Sequence, residues 1–217
     1  MENITFKTGN TYLEYSVIKK EVYNYLKFDI NEEDFQNLID ELRLEGKIIV
    51  ENEQYYLKDI YQAEQTVVNK IKILSEKNEI KYKKIDEKLN QLEEYNQIEY
   101  NEKQKEAIKK ALSNHLLIIT GGPGKGKTTI IKAIVEMYRV MNNYGYDELI
   151  EHLALLAPTG RASKRMSEST NLPATTIHRF LKWNKDNNEF LMNEYNKDFS
   201  DFIIVDKSIA LYDELLQ

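Results

Sequence analysis

One segment of the sequence has the residue types and the spacing of a loop that binds phosphate. It matches the pattern G-x-x-x-x-G-K-[ST], and its residues are Gly121, Gly122, Pro123, Gly124, Lys125, Gly126, Lys127 and Thr128. Because glycine permits backbone conformations that side chains forbid, successive N–H groups can turn inward around phosphate oxygens. We expect Lys127 to reach the β- and γ-phosphates and Thr128 to bind Mg²⁺ through its hydroxyl. Lys125 occupies a permissive position, where it would either add charge near the phosphates or remain solvated.

A carboxylate at the end of a neighbouring strand would complete such a site, because it can hold the water shell of the magnesium ion. Four apolar residues at 202–205 are followed directly by Asp206. This pattern predicts a buried strand that ends in a metal-supporting carboxylate. A buried strand that merely ends in a capping aspartate is the alternative interpretation.

A basic segment follows a second apolar strand pattern, which covers residues 153–157. Between Thr159 and Lys185 the sequence has six lysines and arginines and a single acidic residue, Glu168. With Phe180 and Trp183 as stacking or packing groups, this segment is typical of a local surface for nucleic acid on an otherwise acidic protein. A solvated basic helix is the alternative, and His178 taken alone is typical of a packed or capping histidine.

The elements that must position these residues alternate between helix and strand. The patterns predict helices at 102–112 and from the glycine loop to about residue 140, with strands at 116–120, 153–157 and 202–205. Alternating strands and helices favour an α/β fold, a parallel sheet with helices on both faces. Ligands bind such sheets at the carboxyl ends of the strands, where the glycine loop, Asp206 and the basic segment all fall.

The first 58 residues predict a small winged helix-turn-helix-like α+β module. Short extended pieces are expected at 4–6 and 11–13. Asn31 should cap a helix whose apolar residues lie at helical spacing, Gly46 should end it, and two short strands should follow at 47–50 and 54–57. The helix span 32–45 has six acidic residues and one arginine, which opposes docking in a DNA groove. A structural or protein-contacting role is therefore favoured over DNA reading.

Composition limits the remaining possibilities. Residues 59–98 predict a helical connector rich in lysine and glutamate, and residues 99–217 a partial P-loop domain. The net charge is -6 and there is no cysteine, which excludes disulfides and thiolate metal sites and fits a reducing, cytoplasmic location. No apolar run approaches the ~20 residues that span a bilayer, so no membrane association is expected.

The chain resembles the RecD-like DNA helicases of superfamily 1, relatives of the exodeoxyribonuclease V alpha subunit. The resemblance rests on the phosphate loop through Thr129, the blocks at 157–162 and 172–181, and the glutamine motif at 101–104. It implies a RecA-like motor lobe, ATP with Mg²⁺ as cofactors, 5′-to-3′ unwinding, a role in DNA repair and recombination, and adenine binding by Gln104. The residues that it implies along a single-stranded DNA path are Thr159, Gly160, Arg161, Lys164, Arg165, His178 and Arg179.

The sequence departs from this family in two ways. The family follows its magnesium aspartate with glutamate in a pattern close to D-E-x-S-M, whereas here Asp206 is followed by Lys207, with Ile209 and Ala210 at the serine and methionine positions. An ammonium cannot accept a proton, and loss of a general base typically lowers the rate by ~10²- to 10⁴-fold. Glu214 lies downstream, but nothing in the sequence places it at the γ-phosphate.

The second departure is that the sequence given ends at Gln217, before the second RecA-like lobe that the resemblance implies. We therefore expect an N-terminal piece of a helicase that binds nucleotide but does not unwind DNA alone. The alternative is a degenerate, non-hydrolysing nucleotide-binding or interaction module. An unrelated P-loop enzyme such as a kinase would leave the basic segment unexplained.

Overall fold

The computed structural model describes residues 1–121, 126–187, 189–192 and 201–206. The chain divides into two compact units, residues 1–76 and residues 77–217. The three-part division expected from the sequence, with boundaries near residues 58 and 98, stays a prediction.

The first unit combines four helices with a three-stranded antiparallel sheet of order β1-β3-β2. In chain order its elements are α1 (Glu2–Thr8), β1 (Tyr12–Glu14), α2 (Tyr15–Leu26), α3 (Glu32–Leu44), β2 (Ile48–Glu51), β3 (Gln54–Leu57) and α4 (Lys58–Ser75). Tyr55 of β3 lies opposite Leu13 on one side and Val50 on the other.

Local sequence signals explain the helix α3 and the hairpin that follows it. The Asn31 side chain accepts a hydrogen bond from the Asp34 N–H at 2.8 Å, which caps the helix. The turn between β2 and β3 places Asn52 and Glu53 at φ 50 and 63, the left-handed pair that a two-residue hairpin requires. The predicted helix and hairpin are thereby confirmed.

Buried side chains from both kinds of element form the core of this unit: Leu13, Ile18, Phe35, Ile39 and Ile48. The extended piece expected at residues 4–6 is wrong, because these residues lie in α1. The helix brings Ile4 against this core and buries Thr5, whose hydroxyl donates to the Glu2 carbonyl at 2.8 Å. Packing of Ile4 thus outweighs the β-propensity of its side chain.

The second unit is an α/β arrangement around a three-stranded parallel sheet of order β5-β4-β8. Its helices are α5 (Ile85–Asn96), α6 (Glu102–Ser113), α7 (Lys127–Asn142), α8 (Tyr146–His152), α9 (Gly160–Thr170) and α10 (Ile177–Phe180). Its strands are β4 (Leu153–Ala157), β5 (Ala174–Thr176), β6 (Trp183–Asn184), β7 (Glu189–Phe190) and β8 (Phe202–Val205), with β6 and β7 forming a separate antiparallel pair. The helices predicted around the glycine loop and the strands at 153–157 and 202–205 are confirmed. The expectation that the strand at 202–205 is buried is wrong, because β8 lies at the edge of the described sheet and leaves Ile203 and Val205 exposed.

The core of the second unit lies between the sheet and the helices α5, α6 and α7. All five residues of β4 are buried, as expected of a central strand covered on both faces. The helix α7 contributes most of the packing surface, with Ile130, Ile131, Ala133, Ile134, Val135, Met137 and Tyr138 buried. This packing fixes the direction in which α7 leaves the glycine loop.

The strand predicted at residues 116–120 is wrong for the part of the chain that the structure describes, because it forms no ladder with any strand there. The segment nevertheless alternates: Leu117 and Ile119 pack on the core, while Ile118 is 71% exposed. The alternation follows the sequence pattern, but a strand also needs a neighbour to accept and donate its backbone hydrogen bonds. Among the described helices, none is both long and apolar enough to cross a membrane.

Candidate functional site

The carboxyl edge of the parallel sheet gathers three of the segments singled out in the sequence. Ala157, the last residue of β4, is paired with Thr176, the last residue of β5. Beyond β8, the Asp206 N–H donates to the Leu156 carbonyl at 3.0 Å and so extends the ladder by one residue. The residues that follow β4, β5 and β8 therefore leave the sheet at one edge.

Asp206 is buried at that edge, with only 7% of its surface exposed. Burying a carboxylate is costly unless it is hydrogen-bonded, paired or bound to a metal. The backbone bond to Leu156 fixes where the side chain leaves the strand. This position fits the metal-supporting role predicted for Asp206. The following residues Lys207, Ser208, Ile209, Ala210 and Glu214 lie outside the described residues.

The start of α7 has the features of an anion site. Its N-cap, Gly126, has φ +80, a left-handed conformation that disfavours any side chain. The first intrahelical hydrogen bond runs from the Ile130 N–H to the Gly126 carbonyl at 3.0 Å. The N–H groups of Thr128 and Thr129 precede it, in the part of the helix where N–H groups have no intrahelical acceptor and can bind an anion. Thr128 is exposed in this first turn, and Thr129 is half-buried.

Lys127 folds back toward the beginning of the loop. Its ammonium group donates a hydrogen bond to the Gly121 carbonyl, which places the charge beside the loop rather than in open solvent. Gly121 and Gly126 therefore bracket the loop within the described chain, while Gly122, Pro123, Gly124 and Lys125 lie outside the described residues. The bracketing residues fit a nucleotide phosphate.

Gln104 lies against this loop. A Cβ placed on Gly126 would be 3.0 Å from the Gln104 Nε2 atom, so the two residues are in close approach. Gln104 also belongs to a capping box at the start of α6. The Gln104 Oε1 atom accepts from the Asn101 N–H at 3.0 Å, and the Asn101 side chain accepts from the Gln104 N–H at 3.0 Å. Gln104 and Lys127 are thus brought to the same end of the second unit.

The basic segment forms one solvent face of α9. Arg161, Lys164 and Arg165 are exposed at helical spacing, while Ala162 and Met166 are buried on the opposite side. Gly160 is the first helical residue. The Thr159 hydroxyl accepts from the Ala162 N–H at 3.2 Å and caps the helix. The geometry fits a strip for phosphates, and it equally fits the alternative of a solvated basic helix.

His178 and Arg179 lie in the short helix α10, which follows β5, and both are exposed. The His178 ring contacts the aromatic pair of the β6–β7 hairpin, with ring centroids 6.1 Å from Trp183 and 5.9 Å from Phe190. The Trp183 and Phe190 centroids are 4.6 Å apart. The structure therefore gives His178 a packing contact with the hairpin, which agrees with the alternative interpretation of this residue.

A residue that sequence analysis missed is Glu93 in α5. Its side chain is 13% exposed and accepts from the Tyr100 N–H at 2.7 Å, while Lys105 Nζ lies 2.9 Å away. Burial raises the pKa of Glu93, but the hydrogen bonds from Lys105 and Tyr100 and the lysine charge outweigh it and lower the pKa below 4.5. In a stretch rich in lysine and glutamate, nothing in the sequence distinguishes this carboxylate from its solvated neighbours.

A magnesium ion would have few protein ligands here. Within the described residues there is no group of three or more histidine, aspartate or glutamate side chains arranged to hold a metal. A Mg²⁺ ion bound beside Thr128 and Asp206 would therefore complete its six ligands with phosphate oxygens and water, which is the usual arrangement for this ion.

Comparisons with known proteins agree with this architecture. A family model described as an AAA domain matches residues 104–216, just over half of the chain. The ATP-dependent RecD2 DNA helicase of Deinococcus radiodurans is 31% identical over 116 residues, which is 54% of this chain and 15% of that protein.

Two further relatives are RecBCD enzyme subunits RecD. The subunit of Mycolicibacterium smegmatis is 33% identical over 124 residues, 49% of this chain and 22% of that protein. The subunit of Buchnera aphidicola subsp. Schizaphis graminum is 28% identical over 179 residues, 74% of this chain and 28% of that protein. The chain spans less than a third of the length of each of these three curated relatives.

Proposed function

The chain belongs to the RecD-like family of helicases with an AAA domain, and from this premise we propose that it binds ATP with Mg²⁺ as part of a DNA helicase motor. The observation that carries the proposal is the convergence of Gln104 and Lys127 on the N-terminus of α7, where a side chain in place of Gly126 would be strained and would crowd Gln104. Such a site offers a positive charge, helix N–H groups and an amide to the phosphates and the base of one nucleotide.

Each predicted residue has a defined task in this proposal. Lys127 neutralises the β- and γ-phosphates, Thr128 and Asp206 hold the metal, and Gln104 selects adenine. The remaining residues of the nucleotide cradle are Gly121, Gly122, Pro123, Gly124, Lys125, Gly126 and Thr129. When bound, Mg²⁺ stabilises the charge that develops on the transferred phosphoryl group.

We propose that single-stranded DNA crosses the same sheet edge along α9 and α10. Arg161, Lys164 and Arg165 would contact phosphates from the exposed face of α9, and Thr159, Gly160, His178 and Arg179 would complete the path. In the whole protein, a second RecA-like lobe would close on the nucleotide and drive 5′-to-3′ unwinding. These finer assignments rest on the family resemblance together with the exposed basic face.

For the first unit we propose a winged-helix module whose role is protein contact. Its order of elements, from α1 to β3 with a β2–β3 hairpin as the wing, supports this assignment. The acidic residues of α3 and its C-cap argue against DNA phosphates as the partner, since like charges repel.

The test is nucleotide binding and turnover by the chain itself. Isothermal titration should detect binding of ATP to the chain in the presence of Mg²⁺. Lys127→Ala should weaken this binding at least ~10-fold, because a charge-assisted hydrogen bond is lost. Absence of binding by the wild-type chain would contradict the proposal.

A hydrolysis assay can exclude the alternative, a non-hydrolysing binding module, which Lys207 favours. We expect turnover by this chain near background even with single-stranded DNA, because Lys207 cannot act as a base. Robust DNA-stimulated hydrolysis would overturn that interpretation of Lys207 and exclude the alternative.

A further inference from the structure

Glu93 ties the end of one helix to the beginning of the next. It lies in the last turn of α5, and its carboxylate accepts from the backbone N–H of Tyr100 and pairs with Lys105 in the first turns of α6. Tyr100 is itself buried, with 3% of its surface exposed, and packs in the core of the second unit. One carboxylate therefore holds residues on both sides of the point where α6 begins.

The capping box lies between these two anchors. Asn101, the N-cap of α6, follows Tyr100 directly, and Gln104 precedes Lys105. Because the backbone N–H of Asn101 can only donate, the Gln104 atom that it contacts must be the carbonyl oxygen. This contact fixes the order of the two atoms in the Gln104 amide and leaves its nitrogen on the side of Gly126.

We propose that Glu93 is a positioning residue for nucleotide selection: by holding Tyr100 and Lys105, it keeps the Asn101–Gln104 capping box closed and the Gln104 amide in one orientation. This inference rests on the proposed function, in which Gln104 contacts the base. Glu93 acts through Gln104 and touches no nucleotide itself.

The consequence is discrimination between bases. Adenine has an amino group where guanine has a carbonyl, so the two bases need opposite partners at that position. In the locked orientation the Gln104 Oε1 atom keeps a second lone pair beside the one that accepts from the Asn101 N–H, so it can also accept from the adenine amino group, whereas it would repel the guanine carbonyl. An amide that can turn over serves both bases. Loss of Glu93 should therefore lower the preference for ATP over GTP, while leaving the phosphate contacts of Lys127 in place.

The experiment compares ATP and GTP dissociation constants, by isothermal titration with Mg²⁺, in the wild-type chain and its variants. For Glu93→Ala we expect ATP binding weakened ~3- to 10-fold, the value of about one hydrogen bond, with GTP binding unchanged or tighter. Glu93→Gln keeps an acceptor for the Tyr100 N–H and should retain most of the preference.

The matched control is Asp86→Ala, which removes another ion pair between α5 and α6, Asp86 to Lys109 at 2.8 Å, in the first turn of α5 and away from the capping box. It should leave the ATP-to-GTP ratio unchanged. If Glu93→Ala does not fold, Glu93→Asp carries the same test, because its shorter side chain withdraws the carboxylate from Tyr100.

The outcomes separate the two proposals. A wild-type chain that binds no nucleotide overturns the proposed function and this inference with it. The wild-type chain is expected to prefer ATP. If a folded Glu93 variant keeps the same ratio of ATP to GTP affinity, or binds both nucleotides more weakly by the same factor, the positioning role alone is overturned. Faster hydrogen exchange at the Asn101 amide in Glu93→Ala, but not in Asp86→Ala, supports the positioning role.

Discussion

Replacing Gly126 by alanine tests whether the nucleotide site depends on the close approach of Gln104. Two costs can be read from the structure. Alanine at φ +80 is strained by ~1–2 kcal/mol, because its Cβ approaches the backbone in the left-handed region. The new Cβ would also lie 3.0 Å from Gln104 Nε2, so the Gln104 amide must move.

The second cost follows from what holds Gln104. Moving its amide stretches the 3.0 Å contact from the Asn101 N–H to Oε1, and loss of that hydrogen bond costs ~0.5–1.5 kcal/mol. We therefore expect Gly126→Ala to destabilise the chain by roughly 2–3 kcal/mol in urea unfolding and to weaken ATP binding by ~10-fold or more in isothermal titration.

Gly9→Ala is the matched control. Gly9 has nearly the same backbone conformation, φ +68, but a Cβ there would meet no atom within 4 Å. It should show the backbone strain alone, with unchanged ATP affinity. Equal unfolding energies for the two variants, together with wild-type ATP affinity in Gly126→Ala, would refute the argument that Gln104 is in contact with the loop.

Two further predictions concern the basic face of α9 and the pH dependence of stability. Arg161→Ala combined with Arg165→Ala should weaken single-stranded DNA binding and lower the slope of log K against log salt by ~1.4, as expected for two lost phosphate contacts. The control is Lys132→Ala, which removes an exposed lysine of α7 and should change neither quantity. Fluorescence anisotropy at several salt concentrations measures the affinity and the slope. Because the pKa of Glu93 is lowered, its stabilisation is fully present above the ordinary value of 4.5 and is lost as the pH falls through the lower folded-state pKa. The difference in unfolding free energy between wild type and Glu93→Gln should therefore be smaller at pH 3 than at pH 7, and a constant difference would contradict this.

The sequence predicts those elements whose signals are local. Asn31 and Asn101 are the N-caps of α3 and α6. The side chain of each accepts a hydrogen bond from the backbone N–H three residues later. The strand before Asp206 is predicted from four consecutive apolar residues, and the structure confirms it, although Ile203 and Val205 are exposed rather than buried. Short-range hydrogen bonds and hydrophobic periodicity are sufficient for these features.

The features that the sequence did not predict depend on how the helices and strands pack against one another. Ile4 has a side chain that favours strands, yet it is helical because that brings it onto the core of the first unit. Glu93 is one of several glutamates in a stretch rich in lysine and glutamate, and only its contacts with Tyr100 and Lys105 distinguish it from them. Tertiary packing decides the case of Ile4. The contacts of Glu93 are close in the sequence, but they form only because the turn between α5 and α6 brings Tyr100 and Lys105 back to it.

The net charge of the whole chain does not indicate which of the two units can bind DNA. Residues 1–76 have 15 acidic and 9 basic side chains, which accounts for the entire net charge of -6, whereas residues 77–217 have 21 of each. The argument that an acidic protein repels DNA therefore applies to the first unit. In the second unit, a balanced total allows α9 to present a basic face without opposition from a net negative charge, since exposed charges farther apart than about 10 Å are largely screened. Any contact with DNA phosphates is accordingly expected on the second unit, on the exposed basic face of α9.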